Sequence, residues 1–430
     1  MPYVCNVADF SVADLTHRDS IIFHIFNYSA ISRLTFTFAA ILLLPGMVCP
    51  VLAAEPIPDE AEAFQPSLGI HFDFDSNIYD SSADEIESWI SVVTPAILLS
   101  TAPGQQRYAL LYEGEYGHYF NSSDSADDYA DHALSGVAQF QLSSRGQVEL
   151  GAATGKGHWP RGSNQTEGLD PTSPSFPTEP DEFDRNKWGG TFRYGAEGNR
   201  GRLRFGVGGS QIDYTNNRER TQFLDYGTLS GSAGLSLLFH QRTAIVLDAV
   251  FTDIVYRNEP PGEASRDSED WRFLFGLTWE ATAKTSGSIR IGRQRRHFDD
   301  PSLGKTSHPS WDVNVRWSPR EYSHFDFVTS RRNEETFAEG AFIDTSDYKV
   351  AWTHEWSQGW ESIISWTRSD EVFVGSPRNE DLNELSLGLR YRQGRLLTWE
   401  AGYARRSRDS SLSNLVYDGN LFSIGVNIAE

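Results

Sequence analysis

Residues 271–280 read Trp-Arg-Phe-Leu-Phe-Gly-Leu-Thr-Trp-Glu. Trp271, Phe273, Phe275, Leu277 and Trp279 fall on one side of an extended chain, opposite Arg272, Gly276, Thr278 and Glu280. Side chains of a strand alternate between its faces, so this stretch is a strand with one oily and one wet surface. The pattern recurs at 67–79, where Leu68, Ile70, Phe72 and Phe74 oppose Gly69, His71, Asp73 and Asp75. It recurs again at 384–392, with Leu385, Leu387, Leu389 and Tyr391 against Glu384, Ser386, Gly388, Arg390 and Arg392. Alternation gives about 18 such segments from residue 67 to the end. The segments at 89–100 and 243–256 alternate poorly, which widens the expectation to 16–18 strands, and no amphipathic helix interrupts them.

The connections alternate short and long without exception in this reading. Short ones fall at 102–105, 144–146, 197–201, 240–242, 283–286, 318–322, 357–359 and 393–395; long, acidic ones include 121–128, 258–270 and 334–347. A soluble sandwich has no reason to sort its loops by length, whereas a transmembrane barrel keeps short turns in the periplasm and long loops outside. The faces agree. Leu, Ile, Val and Phe occupy the middle of the apolar face, while Trp271 and Trp279, Trp311 and Trp317, and Trp352, Trp356 and Trp360 gather near segment ends as an aromatic girdle does. The opposite face carries charges that would each cost about 2–4 kcal/mol if turned to lipid at the midplane. A soluble jelly roll would instead turn the apolar face inward. The expected fold is therefore all-β: a transmembrane antiparallel up-and-down β-barrel over 67–430. The last segment, 418–428, sets Phe422, Ile424, Val426 and Ile428 against Ser423, Gly425 and Asn427 and resembles the C-terminal targeting strand of outer-membrane proteins, although it ends in Ala429-Glu430 rather than an aromatic.

Ahead of the barrel, 34–54 reads LTFTFAAILLLPGMVCPVLAA after Arg33. It has the form of a signal-peptide h-region cut after Ala53 or Ala54, and Pro45 and Pro50 argue against a membrane anchor. Residues 1–54 are thus expected to be a leader, its first 32 residues pointing to a start placed too far upstream, and 55–66 a periplasmic linker. Both cysteines, Cys5 and Cys49, lie in the leader, which leaves the mature chain without disulfides or thiolate metal sites. The 430 residues hold 26 Phe, 17 Tyr and 12 Trp, far too many for a disordered chain, and no internal run of about 20 apolar residues that a helical span would need. A net charge of −22 excludes nucleic acid as a partner. Of 37 basic residues only five are Lys.

Sixteen to eighteen strands enclose an aqueous channel rather than a side-chain core. The charges expected to line it are Arg193, Arg202, Arg204, Arg272, Arg290, Arg316, Arg390 and Arg392, with Glu280, Glu355, Glu384 and Glu400 among their acidic companions. Arg suits planar, bidentate pairing with carboxylates, so these residues either brace the wall as mutual ion pairs or form a ladder that guides an anionic solute. The Pro-rich stretch 157–185 cannot be a strand in this reading. It is read as a mobile external loop, with a constriction folded into the lumen as the alternative. No nucleophile–base–orienter set, Walker loop or metal cluster can be assembled, and lone His118 and His132 suggest hydrogen bonding rather than catalysis. Neither an enzyme nor a cofactor is expected.

Phe74-Asp75-Ser76-Asn77-Ile78-Tyr79, the strand ending in Thr94-Pro95, the run Tyr108-x-Leu110-x-Tyr112-x-Gly114-x-Tyr116 and Tyr129-x-Asp131-His132 resemble the β-barrel porins found with bacterial exopolysaccharide export systems. The resemblance implies an outer-membrane conduit for a secreted polysaccharide, working beside periplasmic export proteins and inserted by the barrel assembly machinery. A diffusion porin for small solutes and a structural or adhesive barrel with acidic surface loops are the alternatives.

Overall fold

The computed structural model describes residues 64–429 except 102–105, 122–125, 197–198, 241, 283 and 357–358. The expected leader, most of the linker and the turn at 102–105 lie outside the described residues, as do parts of the connections at 121–128, 197–201, 240–242, 283–286 and 357–359.

Eighteen antiparallel strands follow one another around a closed sheet. They are β1 (Phe64–Asp75), β2 (Ser88–Ser100), β3 (Gln106–Tyr119), β4 (Tyr129–Gln141), β5 (Gly146–Trp159), β6 (Asp181–Tyr194), β7 (Gly201–Tyr214), β8 (Tyr226–His240) and β9 (Thr243–Tyr256). The other half comprises β10 (Ser268–Thr282), β11 (Thr285–Phe298), β12 (Lys305–Arg320), β13 (Ser323–Glu334), β14 (Phe342–Glu355), β15 (Trp360–Val374), β16 (Asn379–Gln393), β17 (Leu397–Ser410) and β18 (Tyr417–Ala429). Each strand pairs with its neighbour in sequence, and β18 closes the circle on β1 through the register Phe74↔Phe422. Closure removes every sheet edge, which a bilayer requires because lipid cannot satisfy unpaired backbone groups.

The barrel is apolar outside and polar inside. Outward Phe275, Ile291 and Ile424 are 52%, 60% and 59% exposed, whereas inward Glu400 is 2% exposed. This rules out the jelly-roll alternative. At the short-turn end an aromatic row runs along the outer face: Trp317 stacks on Phe325, Phe325 on Trp352, and Trp360 on Tyr391, with ring centroids 5.2, 6.2 and 4.6 Å apart. Both chain ends of the barrel lie at this end, and the loop lengths place it in the periplasm.

Several boundaries differ from the sequence reading. β1 starts at Phe64, so Pro66 belongs to the strand rather than to the linker. It is registered only with Ile97 of β2, because the pairing with β18 begins at Ser67, and the proline's missing N–H therefore interrupts no second ladder. The connections read at 258–270, 334–347 and 157–185 shrink to 257–267, 335–341 and 160–180. Above the membrane both strand faces meet polar surroundings, so apolar alternation stops before the strand does. Loop length does not alternate without exception either. The outer turn at 375–378 is as tight as the inner ones, with Gly375 at φ 92°, because it must turn Arg378 straight back into the mouth. Poor alternation in β2 and β9 has a cause as well: Ile90, Val92 and Ile254 face inward but lie beneath other apolar side chains at the outer end.

Candidate functional site

The inward face carries ion pairs that step around the wall from strand to strand. Arg193 reaches Glu149 at 3.4 Å, Arg204 reaches Asp248 at 3.0 Å, and Arg290 lies 3.4 Å from Asp248 and 3.9 Å from Asp312. Arg316 holds Asp326 at 2.6 Å, and Arg390 holds Glu400 at 2.9 Å together with Glu361. Arg406, a further inward arginine, meets Asp75 at 2.7 Å. Glu384 is buried in register with Arg406. Arg272 donates instead to the Ser310 hydroxyl at 2.7 Å and the Trp311 carbonyl at 3.0 Å. Pairing therefore accounts for most of the arginines named from the sequence. Arg202, Arg392 and Glu355 differ: they are exposed at the short-turn rim, where Glu280 is half-buried.

Glycine sets the geometry of one of these pairs. Gly234 of β8 is registered with Arg204 on one side and Asp248 on the other. With no side chain between them, a β7 guanidinium meets a β9 carboxylate across the intervening strand. A Cβ at Gly234 would lie 2.9 Å from the Asp248 carboxylate.

At the outer end the lumen is not an open aqueous mouth. Residues 160–180, read from the sequence as a mobile external loop, cross it as a strap anchored at both ends. On one side Arg161 makes a bidentate pair with Asp127 (2.7 and 2.5 Å) and donates to the Tyr79 hydroxyl at 2.7 Å, which itself donates to Asp127 at 2.7 Å. Arg161 also donates to the Pro177 carbonyl at 3.0 Å, tying the strap to itself. Burial works against the Arg161 charge, but Asp127 holds its pKa above the ordinary value; burial, and then the same carboxylate, push the Tyr79 hydroxyl up. Gly162, at φ 83°, lies so close to Tyr79 that a Cβ would sit 2.3 Å from its carbonyl oxygen. Beyond it Asn164 donates to the Tyr214 hydroxyl at 3.1 Å, and across the mouth from Tyr214 the Glu167 side chain is buried between Arg378 at 2.5 Å and Arg408 at 3.2 Å. Tyr214 and Arg378 stand on opposite sides of an eighteen-strand circle, so the strap spans it.

A second inward loop, 335–341, contributes Phe337 to an apolar cluster with Trp159, Phe183, Tyr214, Leu224, Ile254 and Phe373. It is fixed by Arg296, whose side chain is 0% exposed and pairs with Asp270 at 3.1 Å and Glu335 at 2.7 Å. A cavity of about 100 Å³ remains beneath the strap beside Tyr79, Arg406 and Arg408, room for a few waters. The anchors Asp127, Arg161, Glu167 and Arg378 carry no periodic signal and escaped the sequence reading, whose traces of this site were Tyr79, in the motif at 74–79, and the unusual length of the Pro-rich stretch.

His118 pairs with Asp128 at 2.7 Å, and His132 meets the Tyr112 hydroxyl at 2.9 Å. No group of His, Cys, Asp and Glu suited to a metal ion occurs among the described residues.

Residues 63–430 match the model of the family described as "Putative beta-barrel porin 2". No curated protein matches the chain. Among solved structures, the chain is similar to a BenF-like porin from Pseudomonas fluorescens (TM-score 0.47, 11% identity, covering 86% of this chain and 99% of that one). It is also similar to OccAB2 from Acinetobacter baumannii (0.46, 12%, 85% and 97%) and to OpdK with vanillate from Pseudomonas aeruginosa (0.45, 11%, 85% and 99%).

Proposed function

The chain belongs to the beta-barrel porin family that its residues 63–430 match, and from that premise we propose that this outer-membrane barrel carries anionic carbohydrate, an exported polysaccharide, from the periplasm to the cell surface. The distribution of charge between its two ends carries the reading. Arg145, Arg200, Arg202, Arg242, Arg392 and Arg395 are exposed around the short-turn rim, against the exposed acids Glu321 and Glu355. The opposite end exposes Asp84, Glu85, Glu87, Asp170, Glu179, Glu219, Glu259, Glu263, Asp299 and Glu339, against the exposed bases Arg218, Arg257, Arg293, Arg295, Lys305 and Arg405. A polyanion is attracted to the first end and repelled by the second, so entry is favoured from the periplasm. Between them, paired charges present sugar hydroxyls with hydrogen-bonding groups and little net field. The resemblance around 74–79 and 108–116 points the same way, and the basic rim is the surface that periplasmic export proteins would meet.

A diffusion porin for small solutes is the second reading, favoured by the strap, which narrows the outer mouth. The test adds anionic and neutral oligosaccharides of matched length to one side of a planar bilayer holding the mature chain; if the native mouth is silent, the Glu167→Lys barrel supplies the pore. Anionic chains should block from the short-turn side at several-fold lower concentration than from the other, and Arg392→Gln with Arg395→Gln should narrow that difference. Symmetric block, or equal block by neutral sugars, would sink the polysaccharide reading. Passage limited to the shortest sugars would favour the small-solute porin.

A further inference from the structure

At the outer end of β11 and β12 the lipid-facing row changes character. Ile289 and Ile291 are followed on the same face by Arg293, Arg295 and His297, and Lys305 lies across the ladder from His297. All four basic side chains are exposed. Arg295 is registered with Trp271 and Arg293 with Phe273, and these rings stack at 5.8 Å and 8°. The arginines thus stand level with the outer aromatic girdle. A tilted strand climbs about 5 Å along the membrane normal for every two residues, which places Arg293 about 5 Å and Arg295 about 10 Å above Ile291. That is the depth at which hydrocarbon gives way to headgroups.

Other outward cations near this level have carboxylate partners: Lys156 has Glu182 at 2.8 Å and Arg405 has Asp418 at 3.7 Å. Arg293 and Arg295 have no carboxylate within 4.0 Å among the described residues; Arg293 Nε donates to the Ser307 hydroxyl at 3.3 Å. Glu269 borders the patch, but beside His297 rather than the arginines. An unneutralised guanidinium pair on the lipid face of a chain with net charge −22 calls for an anionic neighbour.

We propose that Arg293, Arg295 and Lys305 bind the phosphate groups of an anionic glycolipid of the outer leaflet. Guanidinium forks match phosphate oxygens bidentately. Below them Ile289, Ile291 and Trp311, the last in register with Ile291, offer an apolar strip to the acyl chains. The site lies on the outer wall and is independent of whatever the lumen carries.

The test measures binding of diphosphoryl lipid A to the full barrel in detergent by native mass spectrometry. Arg293→Gln with Arg295→Gln should bind roughly tenfold more weakly or worse, since charge-assisted bonds are lost, and Lys305→Gln should bind less weakly than that. Both variants should keep the heat-modifiable mobility of a folded barrel, because the side chains are exposed. Lipid A stripped of its phosphates should bind the unaltered barrel as poorly as the double variant binds the intact lipid. Equal binding by the double variant, or by phosphate-free lipid, overturns the proposal. Full competition by inorganic phosphate at the lipid's concentration does so too, marking a simple anion site.

Discussion

Glu167→Lys should release the strap and widen the outer mouth of the barrel. Glu167 is buried between Arg378 and Arg408, each within 3.2 Å. The substitution places a third cation beside two guanidiniums left with Glu380, at 2.7 and 3.7 Å, as their one shared carboxylate. Breaking a buried pair by removing one partner costs about 3–5 kcal/mol, and the least costly relief is for the strap to leave the mouth. The far anchor at Arg161 then holds only one end. Single-channel conductance in a planar bilayer should rise several-fold over the unaltered chain, and excision of 163–176 should raise it at least as far. Neither change touches the strand ladder, so heat-modifiable mobility should survive in both. Unchanged conductance in the excised barrel would show that the strap does not limit flow.

Arg296→Met should produce a large loss of stability. Arg296 lies between Asp270 and Glu335, and its removal leaves two buried carboxylates facing each other. A penalty of about 3–5 kcal/mol is expected, read as a clear drop in the temperature at which heat-modifiable mobility is lost. Because Glu335 opens the loop that inserts Phe337, protease cleavage within 335–341 should appear first. Adding Asp270→Asn and Glu335→Gln should restore most of the loss, since replacing the whole network with neutral groups removes the uncompensated charge. A single variant that melts with the unaltered barrel would mean that water reaches these carboxylates, contrary to their burial.

The strand count, the closed antiparallel order and the inside-out faces were legible because each rests on local alternation. Phe273 and Phe275 announce lipid wherever they occur in an extended chain. The inward arginines were legible as a set for the same reason, but their partners were not. Arg204 meets Asp248 across Gly234, a juxtaposition fixed by register over three strands. The strap was read first as an external loop, with a constriction in the lumen as the alternative, because proline excludes a strand but does not say where the excluded chain goes. Likewise Ile90, Val92 and Ile254 blurred the alternation: an apolar residue facing inward is explained only by other chain packed over it.

By itself the sequence determined the class of fold and its solvent. Alternation with period two, aromatic side chains near segment ends and loops sorted by length are each consequences of a strand with lipid on one side and polar groups on the other. Tertiary structure alone decided whether the lumen is open. Arg161–Asp127, Glu167–Arg378 and Arg296–Glu335 join residues 34, 211 and 39 positions apart. Those contacts depend on closure of the sheet, which brings distant loops to one mouth and sets their charges against one another.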